Sequence, residues 1–273
     1  MKIAVITLSL RGHEIAERIR EGFPAATVYV HESVDLTAGS RQVERFAKIV
    51  ELTQGIFNRY EGLVYVAPCG VAVRAIAGCL DDKRSDPAVV VLDAGARFAV
   101  SLLSGHEGGA NELAVKIANL TGAEPVISTT TEAMKNVIVG VGCRKGTGQA
   151  RVREAIMASL GEAGVRLDEV RLIATADVKA EEAGIIEAAA GLGIPLRIVP
   201  SDVIRTYAGA FQASPFVMEK VNLPAVAEPA AMLAGRRTRL LRGKKNYNGV
   251  TVALARESFM SSGSARAADR TGR

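Results

Sequence analysis

Short runs of β-branched and aliphatic residues alternate with stretches of helical periodicity along most of this 273-residue chain. That alternation is the strongest constraint on its fold. Ile3-Ala4-Val5-Ile6-Thr7-Leu8 reads as a strand, and helical spacing through Ile15, Ile19 and Phe23 follows it. Thr27 to His31 is strand-like, and the pattern predicts a helix from Gln42 to Phe57. Gly62 to Ala67 predicts a buried strand ended by Pro68, and Val71 to Ala77 a short helix. Ala88 to Leu92 and Phe98 to Leu103 predict strands around the turn Asp93-Ala94-Gly95-Ala96. Leu113 to Ala118 reads as a buried helix face, and Glu124-Pro125-Val126-Ile127 as a further short strand. Apolar strands separated by amphipathic helices predict an open, mainly parallel sheet with helices on both faces.

The rhythm restarts near Val137. Val137 to Gly142 predicts a strand entering a glycine-rich turn, Gln149 to Leu160 a helix, and Val170 to Thr175 a strand. Ala180 to Leu192 predicts a helix, Leu196 to Val199 a strand, and Pro200-Ser201-Asp202 the start of another helix. Glu228 to Leu233 predicts a short helix, and Arg239 to Leu241 and Val250 to Ala255 the last two strands, with Lys244 and Lys245 in a turn between them. The polar segment Ser128 to Asn136 lacks periodicity and marks a boundary. The expectation is two α/β domains, 1–133 and 134–257, followed by a disordered Ser/Ala/Gly/Arg-rich tail over 258–273.

Composition narrows the partners. Hydrophobic residues make up 48% of the chain but aromatics only 4%, with no Trp, so the core is built from Ala, Val, Leu and Ile. A net charge of +5 suits an anionic ligand. No basic run interleaved with aromatics and no zinc-finger spacing is present, which argues against nucleic acid. Asp93 and Arg97 break the longest apolar stretch, which argues against a spanning helix and a membrane partner. Met1-Lys2 runs directly into the first strand, so no signal peptide is expected. Cys69, Cys79 and Cys143 match no metal or redox spacing and suit a reducing cytoplasm. His13, His31 and His106 are scattered, so no metal site is expected. No Gly-x-Ser-x-Gly elbow is present.

Four stretches are candidates for chemistry. Gly105-His106-Glu107-Gly108-Gly109-Ala110-Asn111-Glu112 joins a strand to a helix. Free N–H groups at such a turn suit an anion or a developing oxyanion, and His106 is placed for acid/base work. Asn111 either bonds a substrate carbonyl or caps the helix. The alternative is a tight connection with Glu107 near the helix dipole. Ala67-Pro68-Cys69-Gly70-Val71-Ala72-Val73-Arg74 also follows a strand, where ligands of open α/β sheets gather. Arg74 can pair with a carboxylate, and Cys69 reads as a small buried thiol. Gly140-Val141-Gly142-Cys143-Arg144-Lys145-Gly146-Thr147 fails both the Walker and the dinucleotide spacing. Anion binding by Arg144 and Lys145 or a structural turn are both open there. Ala213-Ser214-Pro215-Phe216-Val217 and Ala227-Glu228-Pro229-Ala230-Ala231 complete the set, with Glu228 facing a site or simply starting a helix.

Five elements, in order along the chain, resemble one family. Leu102 to Ala114, Pro125 to Glu132, Gly140 to Thr147, Glu228 to Ala231 and Gly249 to Ala253 are similar to the signature of the cobalt-precorrin-5A hydrolases of anaerobic cobalamin synthesis. The resemblance implies an enzyme that opens a δ-lactone of a corrinoid, releases acetaldehyde and yields cobalt-precorrin-5B. It implies no cofactor of the enzyme's own, the cobalt being carried by the substrate. His106 and Glu107 are the candidate catalytic residues. Cys69, Gly70, Arg74, Ser104, Gly105, Gly108, Gly109, Asn111, Thr129, Thr130, Arg144, Lys145, Gly146, Thr147 and Glu228 are the candidate substrate-binding residues. Other enzymes of the pathway, such as precorrin methyltransferases, are candidate partners, and a homo-oligomer is compatible with the sequence. Two departures from the family pattern stand out. The segment between the Thr-rich element and the second glycine-rich strand is short, Glu132 reaching Val137 almost at once. Glu107 and Glu132 stand where an apolar residue and an Asp are expected; a carboxylate beside His106 either favours its imidazolium form or faces solvent. The rival expectations are a noncatalytic corrinoid-binding or handoff protein and a nucleotide-binding regulator built on the Gly142 turn.

Overall fold

The computed structural model describes residues 1–36, 41–207 and 225–258. The Ala213–Val217 stretch and the expected tail beyond Ser258 lie outside the described residues. The chain divides into two compact units, Met1–Thr130 and Thr131–Arg273.

The first unit carries β1 (Ile3–Thr7), α1 (Leu10–Gly22), β2 (Thr27–His31), β3 (Glu44–Phe46), α2 (Ile49–Ile56), β4 (Gly62–Val66), α3 (Cys69–Ile76), β5 (Ala88–Leu92), β6 (Phe98–Leu103), α4 (Ala110–Thr121) and β7 (Glu124–Val126). The short α5 (Thr130–Ala133) follows. The sheet order is β3-β2-β1-β4-β5-β6-β7. Every residue of β1, β4 and β5 is buried, because helices cover both faces. Val5, Val64 and Val90 pack with α1 and α4 through Ile15, Ile19, Leu113 and Ile117. Ile6, Leu63, Tyr65 and Val91 pack on the opposite side with Ile56, Phe57 and Ile76. Ser9 caps α1, its hydroxyl accepting the Gly12 N–H at 3.1 Å, a contact worth about 1 kcal/mol.

Two features depart from the pattern the periodicity predicts. The helix expected from Gln42 to Phe57 begins only at Ile49, because Glu44–Phe46 pairs in parallel with Tyr29–His31 as an edge strand. Phe46 meets the His31 ring edge-on at 5.4 Å. The other is β6, which breaks the parallel order by running antiparallel to β5, with Val89 opposite Leu103 and Leu92 opposite Ala99. Asp93 builds the hairpin between them. Its carboxylate accepts the N–H groups of Gly95, Arg97 and Phe98, each at 2.9 Å.

The second unit carries β8 (Val137–Cys143), α6 (Gln149–Ala163), β9 (Val170–Ala176), α7 (Ala183–Leu192), β10 (Leu196–Val199), α8 (Ser201–Thr206), α9 (Ala227–Leu233), β11 (Thr238–Tyr247) and β12 (Val250–Glu257). Its sheet order is β10-β9-β8-β12-β11, with β8, β9 and β10 parallel and β12 antiparallel to both β8 and β11. Val137, Val139 and Val141 face α6 and α7. The other face of β8 presents glycine. A Cβ on Gly140 would stand 1.9 Å from the Ala227 carbonyl oxygen, and one on Gly142 would stand 3.2 Å from Val226 Cβ. The helix α9 answers with Ala227, Ala230 and Ala231, all buried. Glycine against alanine lets this helix lie closer to the sheet than larger side chains would allow. Lys244 and Lys245, expected in a turn, lie inside β11, and the turn is Asn248-Gly249. Both domains are therefore α/β, with mixed, mostly parallel sheets and helices alongside.

Candidate functional site

The direction of β6 decides what the candidate loops can share. Its carboxyl end lies beside the amino end of β5, since Leu103 pairs with Val89. The loop Ser104–Gly109 therefore emerges at the amino edge of the neighbouring strands, where a Cβ on Gly109 would meet Met1 Cε at 3.4 Å and Lys83 reaches Glu107. Cys69, Gly70 and Arg74 follow the carboxyl end of β4, which is parallel to β5. Both loops thus follow the carboxyl end of a strand, yet they open on opposite edges of the sheet, a strand of five residues, about 17 Å, apart. Arg74 is also engaged locally, Nη1 donating to the Gly70 carbonyl at 3.0 Å. Cys69, read as buried, is exposed.

Because β7 runs parallel to β6, its exit returns to the His106 edge. That brings Thr129 against the loop. Ser101 Oγ donates to Asn111 Oδ1 at 2.8 Å, and Asn111 Nδ2 donates to Thr129 Oγ1 at 2.9 Å. Gly105 fits under this pair with no room for a side chain; a Cβ there would stand 2.6 Å from Thr129 Cγ2. Thr130 is exposed one residue on.

The loop closes on itself. The Ser104 carbonyl accepts from Gly108 N–H at 3.1 Å and Ala110 N–H at 3.2 Å, and the Gly105 carbonyl accepts from Asn111 N–H at 2.9 Å. The first two N–H groups of α4, expected to be free for an anion, are thus satisfied inside the loop. Ser104 is in the left-handed region at φ 55°, and its hydroxyl is buried without a partner. Gly108 is pressed against it, a Cβ there falling 2.5 Å from Ser104 Cβ. A strained residue with an unsatisfied hydroxyl is a costly arrangement of the kind that clusters at functional turns. His106 and Glu107 are exposed. Glu107 pairs with Lys83 at 3.2 Å, and its carboxyl is held below the usual range by its own backbone N–H first and by Lys83 next.

In the second unit, Arg144 and Lys145 are exposed on the loop after β8. Gly146 takes φ 75°, and its N–H is given to Glu182 Oε1 at 2.6 Å. Thr147 is buried, and its hydroxyl donates to the Arg144 carbonyl at 2.7 Å. Gly184, at the start of α7, packs on this turn, a Cβ there falling 1.9 Å from the Thr147 carbonyl oxygen. Gly146 and Thr147 therefore hold the loop's shape, while Arg144 and Lys145 point charge outward. Burial pushes the Cys143 thiol up, the Thr147 hydroxyl opposing it. Glu228 is engaged by the backbone as well, accepting the Lys244 N–H at 2.7 Å beside the irregular stretch of β11.

Three residues escaped sequence reasoning. Ser101, Lys83 and Glu182 each touch a candidate stretch, and no local pattern marks them. Among the described residues, no cluster of His, Cys, Asp and Glu could hold a metal, and no helix is long and apolar enough to cross a membrane.

Comparison with known proteins gives two matches that follow one another along the chain. The family described as "Cobalamin synthesis G N-terminal" matches residues 51–132, and "Cobalamin synthesis G C-terminus" matches residues 137–255. The protein named cobalt-precorrin-5A hydrolase of Priestia megaterium is 24% identical over 364 aligned positions, covering 92% of this chain and 94% of the relative. That span exceeds the 273 residues here, so the relative carries residues with no counterpart in this chain. The protein of the same name from Salmonella typhimurium is 49% identical over 76 residues, 28% of this chain and 22% of the relative. Protein CobE of a Sinorhizobium species is 31% identical over 128 residues, 46% of this chain and 83% of the relative.

Proposed function

The chain belongs to the cobalamin synthesis G family, and from that premise we propose that it hydrolyses the lactone of cobalt-precorrin-5A, releasing acetaldehyde and forming cobalt-precorrin-5B. The observation that carries the reading is the full-length match to a relative named for this reaction, 92% of this chain against 94% of that one. The cobalt is part of the substrate. On this reading the seventeen candidate residues reduce to a smaller set with distinct jobs.

His106 is the proposed base. It is exposed on a loop whose backbone is tied by three internal hydrogen bonds, so its imidazole is presented to solvent from a fixed frame. It takes a proton from water as the water oxygen adds to the lactone carbonyl carbon. Collapse breaks the acyl–oxygen bond and leaves a carboxylate and a free hydroxyl. Loss of the hydroxyl proton then drives carbon–carbon cleavage: the C–O bond becomes the aldehyde carbonyl of acetaldehyde, and the bonding pair passes into the conjugated macrocycle, which later takes up a proton. Glu107 is assigned to Lys83 rather than to His106, on the strength of their 3.2 Å pair. Arg144 and Lys145 are exposed cations suited to the carboxylates of this class of ligand. Ser104 has no exposed hydroxyl in the closed loop, and its proposed part is to shape the turn.

A handoff protein would bind the same corrinoid without changing it. Incubation of the purified protein with cobalt-precorrin-5A separates the two readings. Acetaldehyde appearing catalytically is the expected result, and tight binding with no acetaldehyde would leave the handoff reading standing in its place.

A further inference from the structure

Resting on the hydrolase reading above, we propose that Asn111 is a positioning residue rather than a substrate contact, and that it aims the hydroxyl proton of Thr129 at an acceptor oxygen of the corrinoid. Asn111 and Ser101 are 7% and 9% exposed, and the Asn111 amide spends its oxygen on Ser101 and one proton on Thr129. Little of its side chain is left for a ligand to touch.

The polarity of the chain of bonds has a consequence for its last member. A threonine hydroxyl has one proton and two lone pairs. Thr129 Oγ1 receives the Asn111 amide proton at 2.9 Å, so its own proton is directed elsewhere. Thr129 is half-buried and keeps an open side. It also sits against Gly105, the residue before His106, where a Cβ would be 2.6 Å from Thr129 Cγ2. A donor is thus held beside the imidazole-bearing turn by two buried groups that cannot easily reorient. Its partner is a carbonyl or carboxylate oxygen, the two acceptors a lactone-bearing, acid-edged macrocycle offers.

Kinetics of Thr129→Val, Thr129→Ser and Asn111→Asp on cobalt-precorrin-5A test this. Thr129→Val should lower kcat/KM by about tenfold or more, the range for a hydrogen bond to a charged or charging oxygen. Thr129→Ser should restore most of it, which a purely space-filling role would not do. A loss confined to KM identifies a ring carboxylate as acceptor; a loss in kcat identifies the lactone carbonyl, whose oxygen gains charge as water adds. Asn111→Asp keeps the shape but offers oxygen to both hydroxyls, turning the Thr129 proton inward. It should cost about as much as Thr129→Val, and the two together should cost less than about twofold more than either alone. Full activity of Thr129→Val beside an active unaltered chain would overturn this assignment alone, as would losses that multiply. The Thr129 pair carries the test by itself if Asn111→Asp does not fold. An unaltered chain with no turnover would overturn the underlying reading and this one together.

Discussion

Around the His106 loop, some side chains meet solvent and others hold the frame. His106 is exposed, while Ser104 and Asn111 beside it are buried. His106→Ala is expected to lower kcat by about two to four orders of magnitude, the range for losing a general base. Thermal unfolding should be nearly unchanged, because the imidazole has little packing to lose. Steady-state rates alongside a melting curve check both parts; an equal fall in stability would make His106 a structural residue. Gly105→Ala should act in the opposite sense at the same loop. Its Cβ has nowhere to go, standing 2.6 Å from Thr129 and 2.8 Å from Asn111, so it should destabilise the first unit by about 1–3 kcal/mol, read from urea unfolding. The glycines and the histidine of the His106 loop mark it in the sequence as a tight strand–helix turn. The buried bonds from Ser101 and Thr129 are not legible there. They join residues 10 and 18 positions from Asn111, and only the adjacency of β6 and β7 makes them neighbours.

Among elements, strand direction matters most. The brief connection Asp93–Arg97 already excluded a parallel crossover between β5 and β6, which needs a dozen or more residues. That signal was in the chain, and its consequence, that the loop after β6 opens on the opposite edge from the loop after β4, follows from it by geometry alone. The edge strand β3 left no such trace, since three residues cannot outvote the helical spacing around them. Asp93 makes the hairpin sensitive to acid. Burial raises its carboxyl, but the backbone N–H groups of Phe98, Gly95 and Arg97, with the Arg97 guanidinium, outweigh it and leave the value lowered. A lowered value in the folded state stabilises the fold above the ordinary carboxylate range, near pH 3.9, and the benefit disappears as pH falls through the folded-state value. Asp93→Asn should therefore cost about 1–2 kcal/mol at neutral pH and progressively less in acid, as followed by denaturant titrations at several pH values. In the second unit, Gly140→Val should prevent α9 from seating against β8, where even a Cβ would fall 1.9 Å from the Ala227 oxygen. The glycine-rich strand looked like a ligand loop from sequence because glycine serves close backbone packing and anion cradles alike.

Among the described residues of the molecule there are two sheets, one in each unit, each packed on its own apolar core residues and with strand pairing confined to its unit. Residues 1–130 expressed alone should consequently unfold in a single cooperative transition, and a featureless melt would show that this unit needs the rest of the chain. The two-domain α/β plan was readable from periodicity because the buried strands and covering helices repeat. The partners of the basic hairpin were less so: Glu162 on α6 gathers Arg242, Lys245 and Tyr247 from β11, a cluster visible only once the strand is laid beside the helix. The central claim is that water attacks a corrinoid lactone on this protein. Turnover of cobalt-precorrin-5A in water labelled with heavy oxygen tests it most directly. The account predicts one labelled oxygen in the newly formed carboxylate of the product, appearing in step with acetaldehyde; acetaldehyde released with an unlabelled carboxylate would contradict it.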